Sequence, residues 1–130
     1  MVAPLLVAER VTMSYPGENG LLEALAETSL AVERGEFVCL LGPSGCGKTT
    51  LLHILGGLLQ PSTGQVYLDG QPLRSPVQRI GYVFQKANLM PWRTALANVA
   101  LPLQVRGVPL AEALEQAEDE LAWSVPVDSR

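Results

Sequence analysis

The sequence is short of charge. Aspartate, glutamate, lysine and arginine make up 17% of its 130 residues, against about 25% in an ordinary soluble domain. With glycine counted and tyrosine left out, the apolar share is roughly 55%, against a usual ~45–50%. A small free-standing domain has much surface for its volume and should be more polar than this. Part of that surface is therefore expected to lie under something else. No block of basic residues occurs and the net charge is −4, which argues against a nucleic-acid backbone as partner. Two cysteines, Cys39 and Cys46, are too few for a disulfide framework. Cys39 sits in an apolar run and is expected as a small core residue.

Targeting signals are missing too. The opening MVAPLLVAER has no basic leader and only a short apolar run before Glu9, so it does not read as a secretion signal. Thr49 to Leu68 carries no formal charge, but Gly56, Gly57, Gln60, Pro61, Ser62 and Gly64 interrupt it. That excludes a membrane span. The expectation is a soluble, cytoplasmic chain of one domain at most.

The pattern of apolar residues predicts strands at Leu5 to Tyr15, closed by Pro16 and Gly17, and within Ala24 to Val32. Phe37 to Leu41 reads as a short buried strand, and Gln65 to Leu68 and Ile80 to Gln85 as two more. A helix is expected from about Lys48 to Leu59, with Leu51, Leu55, Leu58 and Leu59 on one face. Ala95 to Val105 reads as a helix interrupted by Pro102. Leu110 to Trp123 reads as an amphipathic helix with Leu110, Leu114, Ala117 and Leu121 inward. Its acidic residues, Glu112, Glu115, Glu118, Asp119 and Glu120, are expected to form a solvated face.

What is present is a grip for phosphates. Gly42-Pro43-Ser44-Gly45-Cys46-Gly47-Lys48-Thr49 fits G-x-x-x-x-G-K-[ST] at every fixed position. Glycines let backbone N–H groups turn inward around a β-phosphate with no Cβ in the way. A helix beginning near Lys48 adds unpaired N–H groups and the positive end of its dipole. Lys48 supplies a point charge near the β- and γ-phosphates, and the Thr49 hydroxyl is placed for Mg²⁺. The pattern alone does not separate ATPases, GTPases and kinases. A guanine-reading N-K-x-D element is absent, and Tyr15 offers a ring that could stack on any purine.

Tyr15, "LGPSGCGKTTLL" and "GYVFQKANLMPWRTALANVALPL", in that order and spacing, resemble the nucleotide-binding subunit of an ATP-binding cassette transporter over residues 5–121. The resemblance implies an α/β fold, a P-loop NTPase core with an antiparallel β subdomain. It implies that Tyr15 stacks on adenine and that residues 42–50, Thr50 included, hold ATP. Lys48 and Gln85 would be catalytic, and Thr49 and Gln85 would reach Mg²⁺. The implied layout is an ATP-binding core at 1–86, a membrane-permease contact region around the Q-loop at 87–109, and the start of a helical subdomain with an atypical tail at 110–130. "LMPWRT" is most similar to importers of the nitrate, sulfonate and taurine type. Such subunits pair with a second nucleotide-binding subunit and sit on the inner face of the cell membrane.

The family's L-S-G-G-Q signature, acidic (Walker B) strand, catalytic glutamate and switch histidine are not found here. Asp69 follows an apolar run but lies before Gln85 and enters "DGQP", so it is expected as a turn residue. Gly56-Gly57 lies at the wrong end of its helix, and His53 on that helix is expected to be structural or exposed. "WSVPVDSR" also departs from the leucine-rich pattern expected next. The chain is therefore expected to be truncated before the signature and the acidic strand, and to grip ATP better than it splits it.

Overall fold

The computed structural model describes residues 3–124. The chain divides into two compact units, Met1–Tyr82 and Val83–Arg130.

The first unit is a four-stranded antiparallel sheet under one short helix. Strands β1 (Leu6–Gly17), β2 (Gly20–Val32), β3 (Thr63–Leu68) and β4 (Gln71–Pro72) lie in the order β2-β1-β3-β4. The β1–β2 ribbon runs from Leu6↔Val32 to Gly17↔Gly20, and β2 begins four residues before the expected Ala24. The β3–β4 hairpin turns on Asp69-Gly70, both in the left-handed region. That is the two-residue turn such a dipeptide favours, so Asp69 is the turn residue its sequence position suggested.

The sheet buries one face against α1 (Lys48–Leu55). Ala8, Val11, Leu25 and Val66 from the strands meet Leu51, Ile54 and Leu55 from the helix, with Leu73 at the margin. The helix stops earlier than its leucines suggest. Gly57 takes a left-handed φ of 75°, and the amides of Gly56 to Leu59 fold back onto carbonyls of Leu52, His53 and Ile54. Two glycines in succession end the helix more cheaply than they extend it. Leu58 is consequently exposed, Leu59 packs only at the core's edge, and Ile54 takes the deepest position. His53 lies at part depth with its ring 5.6 Å from that of Tyr82, a structural placement.

Two expected strands are not in the sheet. Phe37 to Leu41 and Ile80 to Gln85 pair with no strand among the described residues. Both keep a toehold in the core, through Leu40 and Ile80, but Phe37 is 89% exposed and Leu41 91%. Strand propensity alone does not satisfy N–H and C=O groups; a neighbouring strand must do that. Cys39 shares this fate and is exposed rather than in the core.

The second unit is a helical hairpin, α2 (Ala95–Val105) and α3 (Leu110–Ser124). Thr94 caps α2, its side chain accepting from the Ala97 amide at 3.1 Å. Pro102 lies inside α2, and the helix continues through it. Gly107, at φ 90°, reverses the chain, with its amide on Gln104 and that of Val108 on Leu103. Ala100, Ala113 and Ala117 are buried where the helices meet; small side chains let the two backbones come close. The inward face of α3 is thus centred on Ala113 and Ala117, with Leu110 outside it, and the acidic residues are exposed as expected. Among the described residues no helix is long and apolar enough to cross a membrane.

The sheet depends on one close approach. At Arg10, itself at φ 48°, the β1–β3 ladder slips, and Gly64 sits at φ 83° beneath it. A Cβ on Gly64 would run into the carbonyl oxygens of Glu9 and Arg10. Gly64→Ala should therefore lower stability by about 1–3 kcal/mol through strain and lost pairing. Urea unfolding followed by circular dichroism checks this, and a wild-type midpoint would show that the crossing is looser than described.

Candidate functional site

Residues 42–50 form a loop that wraps a lysine. Gly47 caps α1 in the left-handed region at φ 97°, which points the chain back towards the strands. A Cβ there would lie 2.7 Å from the Ala24 carbonyl oxygen and 2.9 Å from Leu25 Cδ1, so only glycine lets the helix start this close to β2. A Cβ on Gly42 would lie 2.7 Å from Cys46 Sγ, and Gly45, at φ 82°, faces open space. Three glycines thus serve three different needs: packing on β2, room for Cys46, and a free turn.

Lys48 does not extend into solvent. Its ammonium donates to the carbonyl oxygen of Gly42, to that of Pro43 at 2.9 Å, and to Cys46 Sγ at 3.6 Å. The Cys46 amide closes a turn onto the Pro43 carbonyl at 3.3 Å. The first intrahelical bond of α1 is from Leu51 to Gly47 at 2.8 Å. The amides of Lys48, Thr49 and Thr50 therefore have no partner within the helix. Thr49 is exposed and Thr50 half-buried at that end. A positive charge, helix-end donors and a backbone without side chains converge in one loop, the composition an oligophosphate requires.

Tyr15 stands on β1 opposite Leu22, two residues beyond Met13, the ladder partner of Leu25 on which Gly47 packs. Tyr15 is 40% exposed, which leaves it open to a stacking contact. The first unit thus brings together Tyr15's strand and the loop from Gly42 to Thr50. Gln85 belongs to the second unit, where it is exposed in the stretch leading to α2.

That stretch contains an organising residue that periodicity does not reveal. Asn98, in the second turn of α2, accepts from the Met90 amide at 2.9 Å. It donates to the carbonyls of Met90, Arg93 and Thr94 at 3.2, 3.3 and 3.0 Å. One amide side chain therefore ties Met90 to Thr94 into a fixed loop that displays Trp92, 79% exposed. The signal was an asparagine inside a helix, where its competing hydrogen bonds are usually unwelcome.

Comparison with known proteins is consistent with this geometry. The family model described as "ABC transporter" matches residues 25–129. The taurine import ATP-binding protein of Pseudomonas aeruginosa is 44% identical over 116 residues, 89% of this chain and 44% of its own length. The nitrate import ATP-binding protein of Synechococcus elongatus is 44% identical over 94 residues, 72% of this chain and 34% of its length. Among solved structures, the ATP-binding cassette MJ0796, a dimer in a post-hydrolysis state bound to ADP and Pi, superposes with a TM-score of 0.79 at 35% identity. The match covers 88% of this chain and 54% of that one. The chain thus spans less than half the length of these curated relatives.

Asn98→Ala should free the loop without unfolding the helical pair, whose core is elsewhere. Hydrogen exchange at the Met90 amide should quicken and the Trp92 emission should shift with added mobility. Unchanged exchange at Met90 would mean that the loop holds its shape without the side chain.

Proposed function

We propose, because this chain belongs to the ABC transporter family, that it binds Mg-ATP as part of the ATP-binding subunit of an importer. Import of a small solute with an anionic group, such as nitrate, a sulfonate or taurine, is in line with relatives named for taurine and nitrate import. The observation that carries the reading is Lys48, folded inward onto the Gly42 and Pro43 carbonyls at the positive end of α1. Those bonds hold a positive charge inside the loop, where a phosphate would meet it.

The residues fit Mg-ATP. Backbone amides from Gly45 to Thr50 and the Lys48 ammonium would meet the phosphates, the Thr49 hydroxyl would meet Mg²⁺, and Tyr15 would cover the adenine. The metal, when bound, offsets charge on the β- and γ-phosphates. Gln85 is assigned to Mg²⁺ and to the attacking water by family resemblance, and residues 87–109 to the permease subunit. In this assignment the protein works on the inner face of the cell membrane beside a second nucleotide-binding subunit.

Binding and turnover separate in these 130 residues. The sequence contains no L-S-G-G-Q segment and no acidic strand after Gln85, so no carboxylate is assigned to the attacking water. A general base contributes ~10²–10⁴-fold to a rate, and the isolated chain should release phosphate at most at that reduced level. Steady hydrolysis at a normal transporter rate, abolished by Lys48→Ala, would sink this part of the proposal.

Tyr15→Ala should weaken ATP binding while Tyr15→Trp should not. Stacking on a base contributes roughly 1–3 kcal/mol, so the alanine variant should bind about five- to 150-fold more weakly. Titration with a fluorescent ATP analogue measures both, and equal affinities would leave Tyr15 as an ordinary strand residue.

A further inference from the structure

We infer that Asp69 is a positioning residue for the nucleotide site, its carboxylate tying together the two arginines that anchor the ladder-free segments on either side of the core. The inference rests on the reading of residues 42–50 as that site. One carboxylate oxygen of Asp69 accepts from Arg34 at 2.6 Å, and the other accepts from Arg79 at 3.3 Å. Arg34 lies in the turn after β2, and the chain leaves it through Phe37–Leu41 into the phosphate loop. Arg79 immediately precedes Ile80 to Tyr82, whose last ring faces His53 on α1.

These two segments need such a tie more than the rest of the unit. Neither is held by a strand ladder; one reaches the core through Leu40, the other through Ile80 and the half-buried Tyr82 ring beside His53. A strand in a ladder is fixed at every second residue, whereas these are fixed at points. The Arg10–Glu27 pair, by contrast, joins two strands whose ladder already holds them. Asp69 itself is well fixed, because its turn is closed on both sides by β3 and β4 and its amide donates to the Leu5 carbonyl at 2.7 Å. It can therefore act as a post for neighbours that no ladder holds.

The turn does not explain the carboxylate. At φ 53° asparagine or glycine would serve as well, since both accept the left-handed region readily. What only aspartate supplies is a charge with two acceptor oxygens for two arginines. Hydrogen bonding from Arg34 and its charge, with a smaller contribution from Arg79, hold the Asp69 carboxyl below the usual carboxylate range. All three side chains are about half exposed, so the tie acts as a modest bias.

Asp69→Asn in the full chain keeps the turn and removes the charge. Without nucleotide, hydrogen exchange at residues 37–41 and 80–82 should quicken by about two- to five-fold, the range expected for exposed ion pairs. The urea midpoint should fall only slightly, by what two exposed ion pairs contribute. Mg-ATP affinity should fall by a similar about two- to five-fold. All these differences should vanish at about 1 M salt, where the screening length is ~3 Å. Arg79→Gln, which leaves the turn untouched, should quicken 80–82 alone, and adding Asp69→Asn to it should quicken that segment no further. Wild-type exchange in Asp69→Asn would overturn the inference. So would loosening of the whole first unit that persists in high salt, since Asp69 would then be a turn former. A wild-type chain that binds no ATP would overturn the nucleotide reading instead, while the nucleotide-free exchange still tests the tie.

Discussion

Leu51, Ile54 and Leu55 reach from a two-turn helix onto Ala8, Val11, Leu25 and Val66, and the first unit depends on that contact. A helix of eight residues is far too short to persist by itself in water. It exists because one apolar face is buried on a sheet and because Gly47 lets its first turn sit against β2 without a side chain between. Once the helix is fixed, so is the direction of its positive end, and Lys48 and Thr49 are delivered to the loop by packing many ångströms away. The hydrophobic contact and the loop from Gly42 to Thr50 lie at two ends of one short helix.

The same unit shows what an apolar sequence does when its neighbours are few. Phe37–Leu41 and, within this unit, Ile80–Tyr82 are apolar enough for interior strands, yet they lie beside no strand among the described residues. An apolar hollow of about 450 Å³ is lined there by Leu6, Leu40, Leu52, Leu55, Leu68 and Ile80, among others. Part of the apolar surplus lies here, in residues such as Phe37, Val38 and Leu41 that remain exposed. Point anchors such as Leu40, Ile80 and the shared Asp69 carboxylate take the place of a ladder.

In the second unit order comes from smaller means. Three alanines set the spacing of α2 and α3, and one asparagine fixes the loop before them. An alanine contact contributes little buried area, so this pair relies on close backbone approach and on the flanking Leu96, Leu103, Val108 and Leu114. Pro102 has no amide to offer the Asn98 carbonyl one turn earlier, and the helix continues through that gap.

Much of this was written in the sequence in local terms. The glycine spacing from Gly42 to Gly47 names the loop because Gly45 and Gly47 take left-handed backbone and Gly42 leaves room for Cys46. Alternation from Leu6 to Val32, the Asp69-Gly70 turn, and the Thr94 cap are also local, since each depends on residues a few positions apart. Family resemblance added the ATP-binding cassette assignment to those motifs. Tertiary structure decided the rest. Whether Phe37–Leu41 becomes a strand depends on a partner for its amides, which its own five residues cannot provide. Cys39 is exposed for that reason, although its composition reads as core. Which face of α3 turns inward was set by how near α2 could come, so Ala113 displaced Leu110. Asp69 looks like an ordinary turn residue, but its bonds to Arg34 and Arg79 join groups that the fold, and not its immediate neighbours, brings within reach.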